Sequence, residues 1–433
     1  MFGLLSSPDK EMRAAARGWL DLADKILNYR RDQLAAAQLG DLQKKTGTLR
    51  TQVRDKADAA KLKLSIEALE PVLRDTGGKH YPRSGMLEWI EFFVVAAIIL
   101  ITIRQFFFQN FQIPTNSMWP SYNGMIPEVH PTPADEPGAA ARTVRFFTLG
   151  ASAYRIDAPA DGEILIPDFG GRRGTGTPVT GRQWLVFPQA QMRYDLYVGA
   201  QKISVSVPRD FDFDLVLRDT FGPKYPDASA MLNAWRDARR VTPGFIIDDQ
   251  GNTIRANFYH TGKFVHTGER ALSFDIISGD RLLVDRFSYH FVRPKVGSGF
   301  VFRTTNIPTV DADGNHIESY YIKRLVGLPG DTLQVRPPLL YRNAAPITGA
   351  QAFADNNNRV GKYRGYTNPQ YGARYLTSPD KTYKVSPDGF WAMGDNSNNS
   401  ADSRYWGEVP KKDVTGRPLW VFYPLGPHWG PPR

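Results

Sequence analysis

Apolar residues recur at helical spacing through the first eighty or so positions of the chain. Trp19, Leu22 and Ile26 share one face, and Leu62, Ile66, Leu69 and Leu73 repeat the pattern further on. Gly40 and Gly47 punctuate the stretch between them, so the spacing predicts an antiparallel helical pair in a region 1–85. Such a pair is a small bundle or an oligomerising arm; an amphipathic helix lying on a membrane is the alternative. No apolar core lies within the first thirty residues, which argues against a cleavable export signal there.

The texture then changes. Residues 92–103, "FFVVAAIILITI", carry no charge, and Trp89, Phe106, Phe107 and Phe108 flank them where aromatic rings favour the water–lipid boundary. With these flanks the segment 88–109 reaches the ~20 residues needed to cross a bilayer, Glu91 and Arg104 lying near the two interfaces. A single transmembrane anchor is expected. Arg74, Lys79 and Arg83 precede it, which favours a cytoplasmic N-terminal side and an extracytoplasmic remainder.

Beyond the anchor, short β-branched and aromatic runs alternate with Gly, Pro, Asn and Asp: "GEILIP", "WLVFP", "ISVSVP", "RLLVDRF", "FVFRTT", "TLQVRP" and "LWVFYP". This predicts a mainly β fold over 110–433. Residues 230–240, "AMLNAWRDARR", are the one clear helix candidate there, and 131–142 and 345–382 read as exposed loops.

Composition narrows the chemistry. The chain has no cysteine, so thiol catalysis, zinc–thiolate sites and disulfides are excluded. Its seven histidines form no metal-ligand spacing such as HExxH. The net charge of +10 is spread along the chain rather than gathered in a basic run, which suits an anionic membrane surface better than nucleic acid.

Serine without a histidine partner needs another base, and a lysine serves only if burial strips its proton near neutral pH. "IPTNSMWPSY" (113–122) places Ser117 just past the anchor among apolar residues. "SYYIKRLVGLPGD" (319–331) places Lys323 in a strand-like apolar run whose alternation sets Tyr321, Lys323 and Leu325 on one face and Ile322, Arg324 and Val326 on the other. "MGDNSNNSADSRYWG" (393–407) is dense in side chains that bond to local backbone, which suits a rigid loop braced by Asp402 and Arg404.

These three stretches, with "SGDRLLVDRFSY" (278–289), resemble bacterial signal peptidase I, the membrane-anchored Ser/Lys endopeptidase family that removes signal peptides. They fall in the family's order behind one apolar segment and cover about 88–124 and 270–425. The resemblance implies a coiled antiparallel β-sheet catalytic domain that uses neither metal nor organic cofactor. It implies Ser117 as nucleophile and Lys323 as general base, with Thr115 joining the Ser117 N–H in the oxyanion hole. Ser400 would orient the lysine, with Asp402, Arg404 and Asp395 in support. Ile113, Pro114, Met118, Tyr122, Tyr321, Ile322 and Ala401 would line shallow pockets for an Ala-X-Ala substrate. The implied partners are signal-peptide-bearing pre-proteins, the lipid bilayer of the cytoplasmic membrane and the protein export machinery.

The chain departs from the family pattern in three places. About 150 residues separate the serine stretch from "GDRLLV", which reads as an inserted β-rich subdomain at 123–271. "GSGFVF" (297–302) stands where the family often has Arg-Gly-Asp, and Ser397 and Asn398 replace an Arg-Asp pair. The insertion motivates a second reading, a peptidase for a narrow precursor set such as pilins. A catalytically silent membrane-anchored binding protein is a third, which the intact Ser/Lys pair disfavours.

Overall fold

The computed structural model describes residues 8–82, 85–169, 172–173, 176–183, 187–247, 251–309, 316, 318–369 and 372–432. Arg83, and Trp184, Leu185 and Val186 of the expected "WLVFP" strand, lie outside these. The chain divides into two compact units, Met1–Ile101 and Thr102–Arg433.

The first unit holds three helices rather than the expected pair: α1 (Pro8–Arg30), α2 (Ala36–Arg54) and α3 (Ala59–Gly77). Gly40 and Gly47 sit inside α2 instead of ending a helix. A glycine costs a helix only about 1 kcal/mol, and burial of Leu42 and Leu49 on the same helix offsets it. The chain turns at 31–35 and again before α3, where the Asp58 carboxylate accepts from the Lys61 N–H at 2.8 Å. Leu62, Ile66, Leu69 and Leu73 are buried together with Ala16, Ala23 and Ile26 of α1. Trp19 and Leu22 pack at the margin of this core.

Helix α4 (Gly85–Phe106) follows. Its stretch Trp89–Phe106 is long and apolar enough to cross a membrane, and none of it is buried. At about 1.5 Å per residue, eighteen residues reach ~27 Å, close to a hydrocarbon core.

The second unit is mainly β, with its sheets built from antiparallel pairs. Its seven-stranded sheet contains β1 (Phe108–Gln112), β2 (Arg281–Asp285), β3 (Gly299–Arg303), β4 (Tyr320–Gly327), β5 (Gly389–Met393), β6 (Val409–Pro410) and β7 (Val414–Tyr423). The spatial order is β1-β2-β7-β3-β4-β5-β6. Register offsets occur between β2 and β7, β3 and β7, and β4 and β5, as expected of a sheet that coils instead of lying flat. One apolar cluster, Ile113, Met118, Tyr122, Leu282, Val284, Val301 and Val421, lies beneath the start of the 113–122 stretch. A second, including Phe300, Phe302, Leu325, Ala392 and Trp406, fills another part of the sheet.

Between β1 and β2 the chain builds a second seven-stranded sheet, in which Thr177–Gln183, Phe187–Val198, Gly162–Phe169, Thr253–Val265 and Val241–Ile247 follow in that spatial order and Arg172–Arg173 pairs with Gly162–Phe169. Strand Gln201–Pro208 pairs with Phe187–Val198 and shows the physics plainly: Ile203, Val205 and Val207 are buried, while Lys202 and Ser204, alternating with them, are exposed. Helices Phe213–Phe221 and Ala228–Asp237 share its core through Phe213, Val216, Met231 and Trp235. The expected single helix is therefore joined by Phe213–Phe221, and also by Ala139–Leu149 and Gln351–Asn358 within or next to the stretches read as loops. These three helices have 8 to 11 residues, too short for their spacing to stand out from strand-like neighbours.

Candidate active site

Strand β1 delivers the chain to Ile113, whose N–H donates to the Asp280 carbonyl at 2.9 Å. The next residues fold into a single tight turn, Asn116–Met118, with Ser117 buried at its centre. Asn116 fixes that turn from within. Its amide donates to the Met125 carbonyl at 3.1 Å and accepts from the Gly124 N–H at 2.9 Å.

Strand β4 lies between β3 and β5, pairing Phe300 with Lys323 and Arg324 with Met393. The loop that starts at Gly394 thus emerges beside Lys323. It clamps the serine turn from the other side: the Asn396 N–H donates to the Ser117 carbonyl at 3.1 Å, and its side-chain amide to the Asn116 carbonyl at 3.0 Å.

Lys323 Nζ and Ser117 Oγ are 2.5 Å apart and hydrogen-bonded. Lys323 is 4% exposed. Burial drives its ammonium down to about 8; the charges of Asp402 and Asp395 pull it back up and that of Arg404 pushes it down. Both nearby acids are committed elsewhere. Asp402 takes two bonds from the Arg404 guanidinium, each 2.8 Å, and one from the Gly394 N–H at 3.1 Å. Burial alone would raise the Asp402 carboxyl, but Arg404 overrides it and holds it below the usual carboxylate range. Asp395 is gripped by Arg324 at 2.7 and 2.6 Å and accepts from the Ser121 hydroxyl at 2.5 Å. A lysine without a carboxylate of its own can give up its proton.

Arg324, Ser121 and Asn396 were not singled out from the sequence. Alternation sets Arg324 on the other face from Lys323, but that face is buried too. Nothing local to residues 319–331 reveals that Asp395 waits there. Ser397, read as a lost charge, bonds Arg404 through both its hydroxyl and its carbonyl, at 2.8 and 2.7 Å, so part of the bracing is neutral.

The remaining candidates fall into two groups. Ile113, Met118 and Tyr122 are buried in the core under the turn. Pro114, Thr115 and Ala401 are exposed, and Tyr321 and Ile322 half-buried, around Ser117 and Lys323 in the sequence. Lys323 Nζ lies 5.6 Å from the centre of the Tyr321 ring, which keeps these two on one face of β4. The bond expected between Ser400 and Lys323 is not made: the Ser400 hydroxyl is buried with no hydrogen-bond partner, and Lys323 Nζ is engaged by Ser117. Among the described residues no group of three or more His, Asp or Glu side chains could hold a metal ion.

Two glycines bring these segments together. A Cβ on Gly279 would come within 1.9 Å of the Ile113 carbonyl oxygen. A Cβ on Gly394 would stand 2.2 Å from the Ser400 hydroxyl oxygen and 2.4 Å from the Ser117 carbonyl oxygen. Gly394→Ala must therefore push the loop off the serine turn. We expect it to cost about 2 kcal/mol or more in a denaturant melt. Parental stability in this variant would mean that the loop and the serine turn are not held in this close contact.

A family model described as signal peptidase, peptidase S26 matches residues 86–127 and 263–423, leaving 128–262 unmatched. A probable signal peptidase I-1 of Synechocystis sp. is 33% identical over 152 residues, 35% of this chain and 66% of that protein. A signal peptidase I of Bacillus licheniformis is 33% identical over 148 residues, 34% of this chain and 69% of that protein. The chain spans between 56% and 66% of the length of the Synechocystis and Leptolyngbya laminosa proteins it matches. The crystal structure of a signal peptidase I from Enterococcus faecalis is 25% identical, with a TM-score of 0.21 over 29% of this chain and 97% of that one.

Proposed function

Because the chain belongs to the signal peptidase I family, we propose that it is a membrane-anchored serine endopeptidase that removes N-terminal signal peptides from exported pre-proteins. The observation that carries this reading is the 2.5 Å contact between Ser117 Oγ and Lys323 Nζ, in a site where each neighbouring carboxylate already has an arginine.

In the proposed reaction neutral Lys323 takes the Ser117 proton as Oγ attacks the carbonyl carbon of the scissile bond. The Ser117 N–H and the Thr115 hydroxyl hold the negative oxygen that forms. Lys323, now an ammonium, gives its proton to the departing amine nitrogen, and the C–N bond breaks to leave an ester on Ser117. Water then attacks that ester, with Lys323 again taking a proton and returning it to Ser117. An ammonium has three N–H donors, so the unpartnered Ser400 hydroxyl is the acceptor proposed for one of them while the lysine is charged. Asp402, Arg404 and Asp395 hold the loop and bear no proton of the reaction.

The accessible faces of Pro114, Tyr321, Ile322 and Ala401, over the buried floor of Ile113, Met118 and Tyr122, form the proposed pockets for small residues at the −3 and −1 positions. The helix Trp89–Phe106 is the proposed single-pass anchor, with the bundle on the cytoplasmic side and the β unit outside. A substrate held in the same bilayer by its own apolar segment would then present its cleavage site near Ser117. The test is cleavage of a precursor with alanine at −3 and −1 by the purified full chain. Wild type should produce the mature fragment, and Ser117→Ala should lower the rate by about 10³-fold or more. Cleavage that persists in Ser117→Ala would remove the mechanism.

A further inference from the structure

A cleft of about 720 Å³ adjoins the serine turn. Thr115, Asn116 and Asn396 line one end of it. Its far wall is built by residues 210–229, which lie in the 128–262 stretch that the family model leaves unmatched. The wall is fastened to the catalytic part of the unit: Arg364, from the segment after Gln351–Asn358, donates to the Pro226 carbonyl at 3.3 Å. Asp210 stands close enough to β4 that, after burial, its charge is the next contribution raising the Tyr321 phenol. Tyr321 is two residues from Lys323.

The lining carries five carboxylates, Asp210, Asp212, Asp214, Asp219 and Asp227, against the cations Arg218, Lys362 and Arg364. Two of the cations are tied down, Arg218 on Asp219 at 2.5 Å and Arg364 on backbone. Lys362 lies over the Trp119 ring, 5.8 Å from its centre. Asp227 caps its helix through the Ala230 N–H. A walled cleft with an excess of one sign focuses its field on whatever polypeptide enters.

We propose that this cleft receives the substrate chain just beyond the bond being cut, so that the wall makes the enzyme cleave precursors with a basic early mature segment faster than acidic ones. The inference rests on the peptidase reading above. It concerns the segment after the cut because the proposed substrates are small and uncharged immediately before it. An extended chain covers ~3.3 Å per residue, so about six residues, ~20 Å, traverse such a cleft.

The experiment compares three precursors that differ only in the first six residues after the scissile bond, two lysines, two glutamates or neither, cleaved by the purified full chain in detergent. Wild type should favour the lysine form over the glutamate form about five- to tenfold in kcat/KM, and the ratio should shrink as salt is raised. Asp210→Asn/Asp212→Asn/Asp214→Asn should bring the ratio near one, and the exposed single change Asp210→Asn should lower it partway. Asp237→Asn, on the same insertion but outside the cleft, should keep the full ratio. Equal Ser117-dependent cleavage of all three forms by wild type, or a preference untouched in the triple variant, overturns the cleft proposal and leaves the peptidase reading standing. Cleavage of none of the three overturns both.

Discussion

Lys323→Met is expected to yield a folded protein that melts higher than the parent at pH 7 and cleaves precursor at least ~10⁴-fold more slowly. The loss of rate follows from removing the proposed base, which is hydrogen-bonded to Ser117 Oγ. The gain in stability follows from the same burial that activates the lysine. The folded chain holds the Lys323 ammonium down at about 8, against about 10.4 for an unfolded lysine. At pH 7 both states carry the proton, and the folded state bears the full cost of a buried charge, about 3 kcal/mol. Between pH 8 and pH 10 the unfolded chain binds more protons than the folded one, so the parent gains stability as pH rises through that window. Methionine has nothing to titrate, so the gap in melting temperature should close toward pH 10. In the parent, kcat/KM should climb tenfold per pH unit up to about pH 8 and level off above it. A variant that melts lower at pH 7, together with parental activity flat from pH 6 to 9, would contradict a lysine base.

Arg324→Met should have the opposite character, a large loss of stability without removal of any reacting group. Arg324 and Asp395 are both essentially inaccessible and share two bonds, with a further bond from Arg324 to the Gly297 carbonyl at 2.6 Å. Removing the arginine leaves Asp395 a buried charge with only the Ser121 hydroxyl, which costs about 3–5 kcal/mol. Adding Asp395→Leu should recover much of that loss in a denaturant melt, because two apolar side chains need no partner. If the double variant is no more stable than Arg324→Met alone, packing around the pair, and not the stranded charge, carries the effect. Cleavage should fall in both, since Ser121 and the Gly394 loop lose a common anchor.

The parts of the site legible from the sequence were those with a local chemical signature: a serine among apolar residues, a lysine in an apolar strand and a loop crowded with short polar side chains. Strands announced themselves where one face is wet, as in Gln201–Pro208, and the apolar helix announced itself by length. What stayed hidden depends on partners far along the chain. Arg324 and Asp395 are 71 positions apart, and no spacing rule joins them. The third helix of the bundle was obscured by Gly40 and Gly47, whose cost is offset by burial that only the assembled helices provide. The acidic wall at 210–229 was equally silent, because its aspartates read as ordinary turn and cap residues until the fold sets them beside Thr115.

The strand order of the seven-stranded sheet also fixes a sequence of events in time. Strand β7, between β2 and β3, is the one in this sheet that leaves the ribosome after all the others. A growing chain therefore carries Ser117 and Lys323 for some ninety residues of synthesis past the lysine before the strand that joins their two halves exists. Until Val414–Tyr423 slots in, β1 and β2 have no strand pairing that connects them to β3 and β4 within this sheet. The sheet is therefore completed only when the last of its strands to be synthesised is inserted between two pairs that already exist.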